Sequence, residues 1–129
     1  MTERPKPTAA ELEILDILWE SRRATVGDIH KTISERRPTA YTTVLKQMQI
    51  MHEKGLVQRD EKGKAHIYRP AQSQRQTQSR LVTDLLNKAF RGSALKLVQH
   101  VLETKPSSPE ELAEIRKLIA DAETKGAKK

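Results

Sequence analysis

"AYTTVLKQMQ", residues 40–49, holds two adjacent threonines, two glutamines and a lysine, and no acidic residue. It opens a segment running to Glu53 that sorts into two arcs when each residue is stepped 100° around a helix. Tyr41, Val44, Leu45, Met48, Met51 and His52 share one arc, which predicts a side facing the core. Thr42, Thr43, Lys46, Gln47, Gln49 and Ile50 share the other. In a chain that is 32% charged, a helix face without a carboxylate is unusual enough to ask what it meets. Taken alone, an ordinary solvated stripe explains it well, so the neighbouring elements must decide.

Upstream lie two helices with readable starts. "TAAE" at Thr8–Glu11 is a capping box, followed by Leu12, Leu15, Leu18 and Trp19 at helical spacing, with Ile14 and Ile17 widening the buried arc. Glu13, Asp16 and Glu20 are expected outside, and the helix is expected to end near Ser21–Arg23. "TVGD" at Thr25–Asp28 is a second capping box, with Val26, Ile29 and Ile33 on one face. "RRP" at Arg36–Pro38 closes that helix, because proline disfavours helix in the residue before it. Downstream, Gly55 can end the third helix in the left-handed region. Leu56–Arg59 and His66–Arg69 then alternate as strands of a hairpin with a basic tip, Lys62-Gly63-Lys64.

Three helices and a hairpin within residues 1–70, with a short link between the second and third helices, predict a winged helix-turn-helix domain. In that layout the third helix is exposed along its polar arc. Hydroxyls, amides and an ammonium there can bond phosphate oxygens and base edges in a major groove. Thr39 is the expected N-cap, bringing free N–H groups toward a phosphate. The expected nucleic-acid contacts are therefore Thr39, Tyr41, Thr42, Thr43, Lys46 and Gln47, with Lys62 and Lys64 on the wing. Ile50 either meets a base methyl or packs under a neighbouring loop.

Residues 71–129 read as helices with a frayed basic tail, "KGAKK". Their apolar stripes are Leu81, Val82, Leu85, Leu86, Ala89 and Phe90, then Leu95, Val98, Val101 and Leu102 after a Gly92-Ser93 break, then Leu112, Ile115, Leu118 and Ile119. "SSPEE" starts the last helix, with Ser108 as cap and Pro109 at the first position. Three helices in under 60 residues make a weak core alone, so a second copy is the expected cover, giving a two-fold homodimer. The whole is expected to be mostly α, an N-terminal winged helix followed by a C-terminal helical dimerisation region.

Composition bounds the remaining possibilities. Apolar residues make up 36% and aromatics 3% of the 129 residues, and the net charge of +7 suits a polyanion without demanding one. The absence of cysteine excludes disulfides, thiolate metal sites and thiol nucleophiles. No apolar run approaches the ~20 residues that span a bilayer, and "MTERPKPTAAELE" has no signal core, so a cytoplasmic protein without membrane insertion is expected. His30, His52, His66 and His100 lack metal-ligand spacing, and no nucleophile–base pair or phosphate loop is visible. Neither an enzyme nor a cofactor is expected. A winged helix used for protein–protein assembly and a non-specific architectural DNA binder are the alternatives.

"TAAELEILDILWE", "AYTTVLKQMQIMHEKGLVQRD" and "HIYRP" together resemble the penicillinase-repressor family, the BlaI/MecI/CopY type, and "LNKAFRGSALKLVQHVLE" and "EELAEIRKLI" are similar to its dimerisation helices. The resemblance implies a dimeric repressor of resistance or stress genes on an inverted-repeat operator, often with TACA-like half-sites. It places Thr42, Thr43, Lys46 and Gln47 in a recognition helix and Lys62 and Lys64 in the wing. Several members carry Thr-Arg where this chain has Gln49-Ile50, which implies a different operator. It also implies release by a membrane-bound zinc metalloprotease that senses β-lactams, cutting near His100–Val101, although the family's Asn-Phe pair is absent here. The cysteine-rich copper sites of some members have no counterpart.

Overall fold

The computed structural model describes residues 6–61 and 63–127. In chain order it contains α1 (Ala9–Ser21), α2 (Val26–Arg36), α3 (Tyr41–Glu53), β1 (Val57–Asp60), β2 (Ile67–Pro70), α4 (Gln74–Ala89), α5 (Ala94–Thr104) and α6 (Pro109–Ala127). Three helices, a two-stranded antiparallel hairpin and a helical C-terminal part make the winged helix-turn-helix architecture read from the sequence.

Local chemistry accounts for each boundary. The Thr8 hydroxyl accepts from the Glu11 N–H at 3.2 Å while the Glu11 carboxylate accepts from the Thr8 N–H at 2.8 Å. Thr25 and Asp28 repeat this reciprocal pair at 3.1 and 3.0 Å. Arg37 leaves α2 in an extended conformation, as the following Pro38 requires. At the end of α3, Gly55 takes φ +80°, its N–H bonds the His52 carbonyl at 3.1 Å, and the Leu56 N–H reaches back to Met51 at 2.9 Å. These two bonds form a Schellman motif, with Leu56 and Met51 both buried beneath it.

That motif shifts the first strand. Leu56 gives its N–H to the helix end, so β1 starts at Val57, one residue later than the sequence suggested. The partner strand moves likewise to Ile67–Pro70, in the register Val57↔Pro70 to Asp60↔Ile67. Pro70 is tolerated at the strand's last position, where its missing donor breaks little of the ladder. Ala24 adds one rung that the sequence did not advertise, exchanging backbone bonds of 2.9 and 2.8 Å with Tyr68.

The core sits between the three helices and the hairpin. Ile14, Leu15 and Leu18 of α1 meet Ile29 and Ile33 of α2, Val44, Met48 and Met51 of α3, and Val57 and Tyr68 of the hairpin. The Trp19 indole N–H donates to the Gln72 carbonyl at 2.9 Å, and Thr77 is buried, so the first turns of α4 belong with this core. Ser73 and Gln76 form a third reciprocal cap at 3.1 and 2.9 Å.

The chain divides into two compact units, Met1–Val82 and Thr83–Lys129, the division falling inside α4. Within the second unit, Arg91 and Gly92 both take positive φ, and Ser93 caps α5 through the Lys96 N–H at 3.2 Å. Ser108 caps α6 through the Glu111 N–H at 3.0 Å. α6 runs on to Ala127, so Lys125–Ala127 of the expected frayed tail is helical, while Lys128 and Lys129 lie outside the described residues. No described residue from 83 to 126 is buried.

Candidate nucleic-acid interface

α3 presents the surface anticipated from its polar arc. Thr42, Thr43, Lys46 and Gln49 are exposed, and Ile50 is 37% exposed, so Ile50 is not packed away under a loop. No carboxylate interrupts this face before Glu53 at the far end of the helix. The buried side of the same helix is Val44, Met48 and Met51.

Three residues behave differently from expectation. Thr39 does not cap α3: Ala40 does, with no side-chain bond, and its carbonyl accepts from Thr43 at 3.1 Å. The Thr39 hydroxyl instead donates to the Arg37 carbonyl at 3.0 Å, and its own carbonyl lies 2.7 Å from His30 Nε2. The turn between α2 and α3 takes up its polar groups before the helix begins. Tyr41, assigned by angle to the core arc yet also expected among the nucleic-acid contacts, is 48% exposed at the first helical position. Its ring meets His30 edge-on at 5.6 Å.

Gln47 is the third. Its amide donates to Glu11 at 3.0 Å rather than pointing away from the protein. Glu11 also accepts from Lys54 Nζ at 2.6 Å and from the Thr8 N–H, and is only 1% exposed. Burial raises the Glu11 carboxyl's pKa, but the hydrogen bond from Lys54, aided by the Thr8 backbone, outweighs it and leaves the group below its ordinary value. Neither Glu11 nor Lys54 was singled out as functional from the sequence. A signal was there: Glu11 occupies the i position of an i, i+3, i+4, i+7 stripe completed by Ile14, Leu15 and Leu18.

Glu13, expected outside, is half-buried and ties α1 to the end of α2. It accepts from Arg36 at 3.0 Å, and Arg37 donates to both of its oxygens. Those bonds, Arg37 first and Arg36 second, hold its pKa at about 2. On the wing, Lys64 is exposed beside Gly63, whose φ of +103° suits the turn, while Lys62 lies outside the described residues. Lys64, His66, Tyr41, Leu45 and Gln49 line one cleft of about 430 Å³ between α3 and the hairpin, so helix and wing present a joint surface.

Among the described residues, no group of three or more His, Asp or Glu is placed to hold a metal, and no helix is long and apolar enough to cross a membrane. The apolar residues assigned to dimerisation remain open. Leu85, Val98, Val101, Leu102, Leu118 and Ile119 are exposed, whereas Leu81, Leu86, Phe90, Leu112 and Ile115 are half-buried. His100 is exposed on α5 with its ring against Phe90 at 5.4 Å.

Fold and site together define a winged-helix regulator with an appended helical region. A family model described as Penicillinase repressor matches residues 7–121, and the chain belongs to that family. It is 30% identical over 115 residues to Transcriptional regulator BlaI of Mycobacterium tuberculosis, covering 88% of this chain and 82% of that protein. It is 22% identical over 112 residues to Methicillin resistance regulatory protein MecI of Mammaliicoccus sciuri, covering 87% and 91%. With the Penicillinase repressor of Bacillus licheniformis it shares 22% identity over 121 residues, 94% of each chain. These relatives are named as regulators and repressors, not as enzymes, which supports a repressor role.

Proposed function

We propose that the chain is a cytoplasmic transcriptional repressor that binds a two-fold symmetric DNA operator as a homodimer. The observation that carries this reading is the exposed, carboxylate-free face of α3, formed by Thr42, Thr43, Lys46, Gln49 and Ile50. Lys46 lies at its centre, the Ile50 side chain suits a thymine methyl, and Lys64 serves a flanking phosphate from the wing. In this reading residues 1–70 bind DNA and residues 71–129 dimerise.

The second copy is called for by the C-terminal helices. Among the described residues, every large exposed hydrophobic other than Tyr41 and Ile50 falls between Val82 and Ile119. A helical region with that much apolar surface and no buried residue described from 83 to 126 needs a partner of matching chemistry, and a copy of itself supplies one. Release by a membrane-bound metalloprotease cutting near His100–Val101 belongs to the same reading. Both residues are exposed on α5, and cleavage there would weaken dimerisation and with it the hold on paired half-sites.

Equilibrium binding to a duplex, titrated with salt and with an unrelated competitor, tests the role. Operator binding is expected to fall steeply with salt, to survive excess competitor, and to weaken about tenfold or more in Lys46→Ala. Competitor displacing the protein at parity would indicate an architectural binder, and an unchanged affinity in Lys46→Ala would remove that residue from the interface.

A further inference from the structure

Glu11 stands out as a carboxylate lodged on a core stripe. Burying such a group is costly unless it is fully paired. Helix capping does not explain the burial, because Asp28 performs the same reciprocal cap on α2 while exposed. What Glu11 has in addition is α3. Its two oxygens accept from Gln47 at 3.0 Å and from Lys54 at 2.6 Å. Gln47 lies in the middle of α3 and Lys54 is its C-cap, still in a helical conformation, seven residues or about 10 Å of axis further on.

We propose that Glu11 is the positioning residue of the DNA-reading helix, gripping α3 at Gln47 and Lys54 and so fixing its rotation and its slide along its axis. The inference rests on the DNA-binding reading above and deepens it by naming a residue that sets specificity without touching DNA. Two grips on one face define both degrees of freedom, where a single contact would leave α3 free to pivot. The consequence falls on the residues beside Gln47 on the outer arc, Thr43, Lys46 and Ile50. Side-chain ends lie roughly 5–6 Å from a helix axis, so a ~20° rotation displaces them by about 2 Å, enough to break a hydrogen bond to a base edge.

The same arrangement sorts roles within α3. Gln47 commits one amide N–H to the protein, so base reading falls mainly to the exposed residues of the arc. Lys54 spends its charge on Glu11, so it adds little general attraction to phosphate. Loss of the grip should therefore damage discrimination between sequences more than affinity for DNA as such.

The test uses the full chain, the duplex recovered by selection from a random pool, and an unrelated duplex of equal length at the same salt. Glu11→Gln and Lys54→Met are each compared with the parent, with thermal melts establishing that the variants are folded at the assay temperature. Both are expected to lower the ratio of selected to unrelated affinity about tenfold, the size of one mismatched base pair. Affinity for the unrelated duplex should stay within about twofold of the parent. A ratio unchanged in a folded variant, or an equal loss on both duplexes, overturns the proposal. If Glu11→Gln fails to fold, Lys54→Met decides alone, since its carboxylate partner keeps the capping box intact. A parent with no sequence preference would overturn the DNA-binding reading, and this inference with it, before any variant is compared.

Discussion

At Glu13 a single carboxylate holds the last arginine of α2 and the C-cap arginine after it, and its contribution can be followed by pH. Its folded-state pKa of about 2 lies below the ordinary 4.5, so its stabilisation is complete above that ordinary value and is lost as the pH falls toward 2. Glu13→Gln is expected to cost about 1 kcal/mol at pH 7, a modest figure because both arginines are solvated. Urea melts should show the gap to the parent shrinking between about pH 4.5 and pH 2.5. A gap that does not change with pH would mean that the ion link contributes nothing. Residue-scale detail of this kind was the least legible part of the sequence. A helical wheel assigns a direction to each side chain but does not name what it meets, which is why Gln47 was read as facing DNA and Glu13 as facing water. Thr39 does not cap α3 for a related reason: its hydroxyl bonds the Arg37 carbonyl and its own carbonyl meets His30, contacts that a wheel does not show.

Helices were the most legible elements, because their ends carry chemistry that acts over three or four residues. The capping boxes at Thr8 and Thr25, the Pro38 stop, the Gly55 end and the Ser108 start all stand where the sequence put them. Gly55 differs from the others in that its cost on substitution is a matter of backbone conformation. A Cβ at Gly55 would meet no atom within 4 Å, so the strain of Gly55→Ala comes from its φ of +80° alone. That substitution should destabilise the first unit by about 1 kcal/mol, read as a lower urea midpoint with an unchanged slope. A midpoint equal to the parent's would show that the Schellman end is not holding α3 to the hairpin. The strands were legible to within one residue, since alternation in four-residue strands fixes a face better than a boundary. The Ala24–Tyr68 rung was invisible, being a backbone pairing across more than 40 residues that no side-chain pattern announces.

For the whole molecule, the sequence carried the order of elements, the apolar stripes and the family, and its expectation of a second copy over the C-terminal helices stands as a proposal. Their exposed hydrophobics are the strongest case for a second copy. Leu118, 68% exposed on α6, is a suitable place to test it. Leu118→Glu is expected to convert the proposed dimer to monomer by light scattering and to weaken operator binding by at least tenfold, as the second half-site loses its linkage to the first. An intact dimer would remove α6 from the interface.

The central claim, that two copies of α3 read a symmetric operator, is tested most directly by selecting bound duplexes from a random DNA pool at moderate salt. The account predicts a two-fold symmetric sequence whose half-sites are centred one helical turn, ~34–36 Å, or a multiple of it apart. Recovery of no preferred sequence by the folded protein would contradict it.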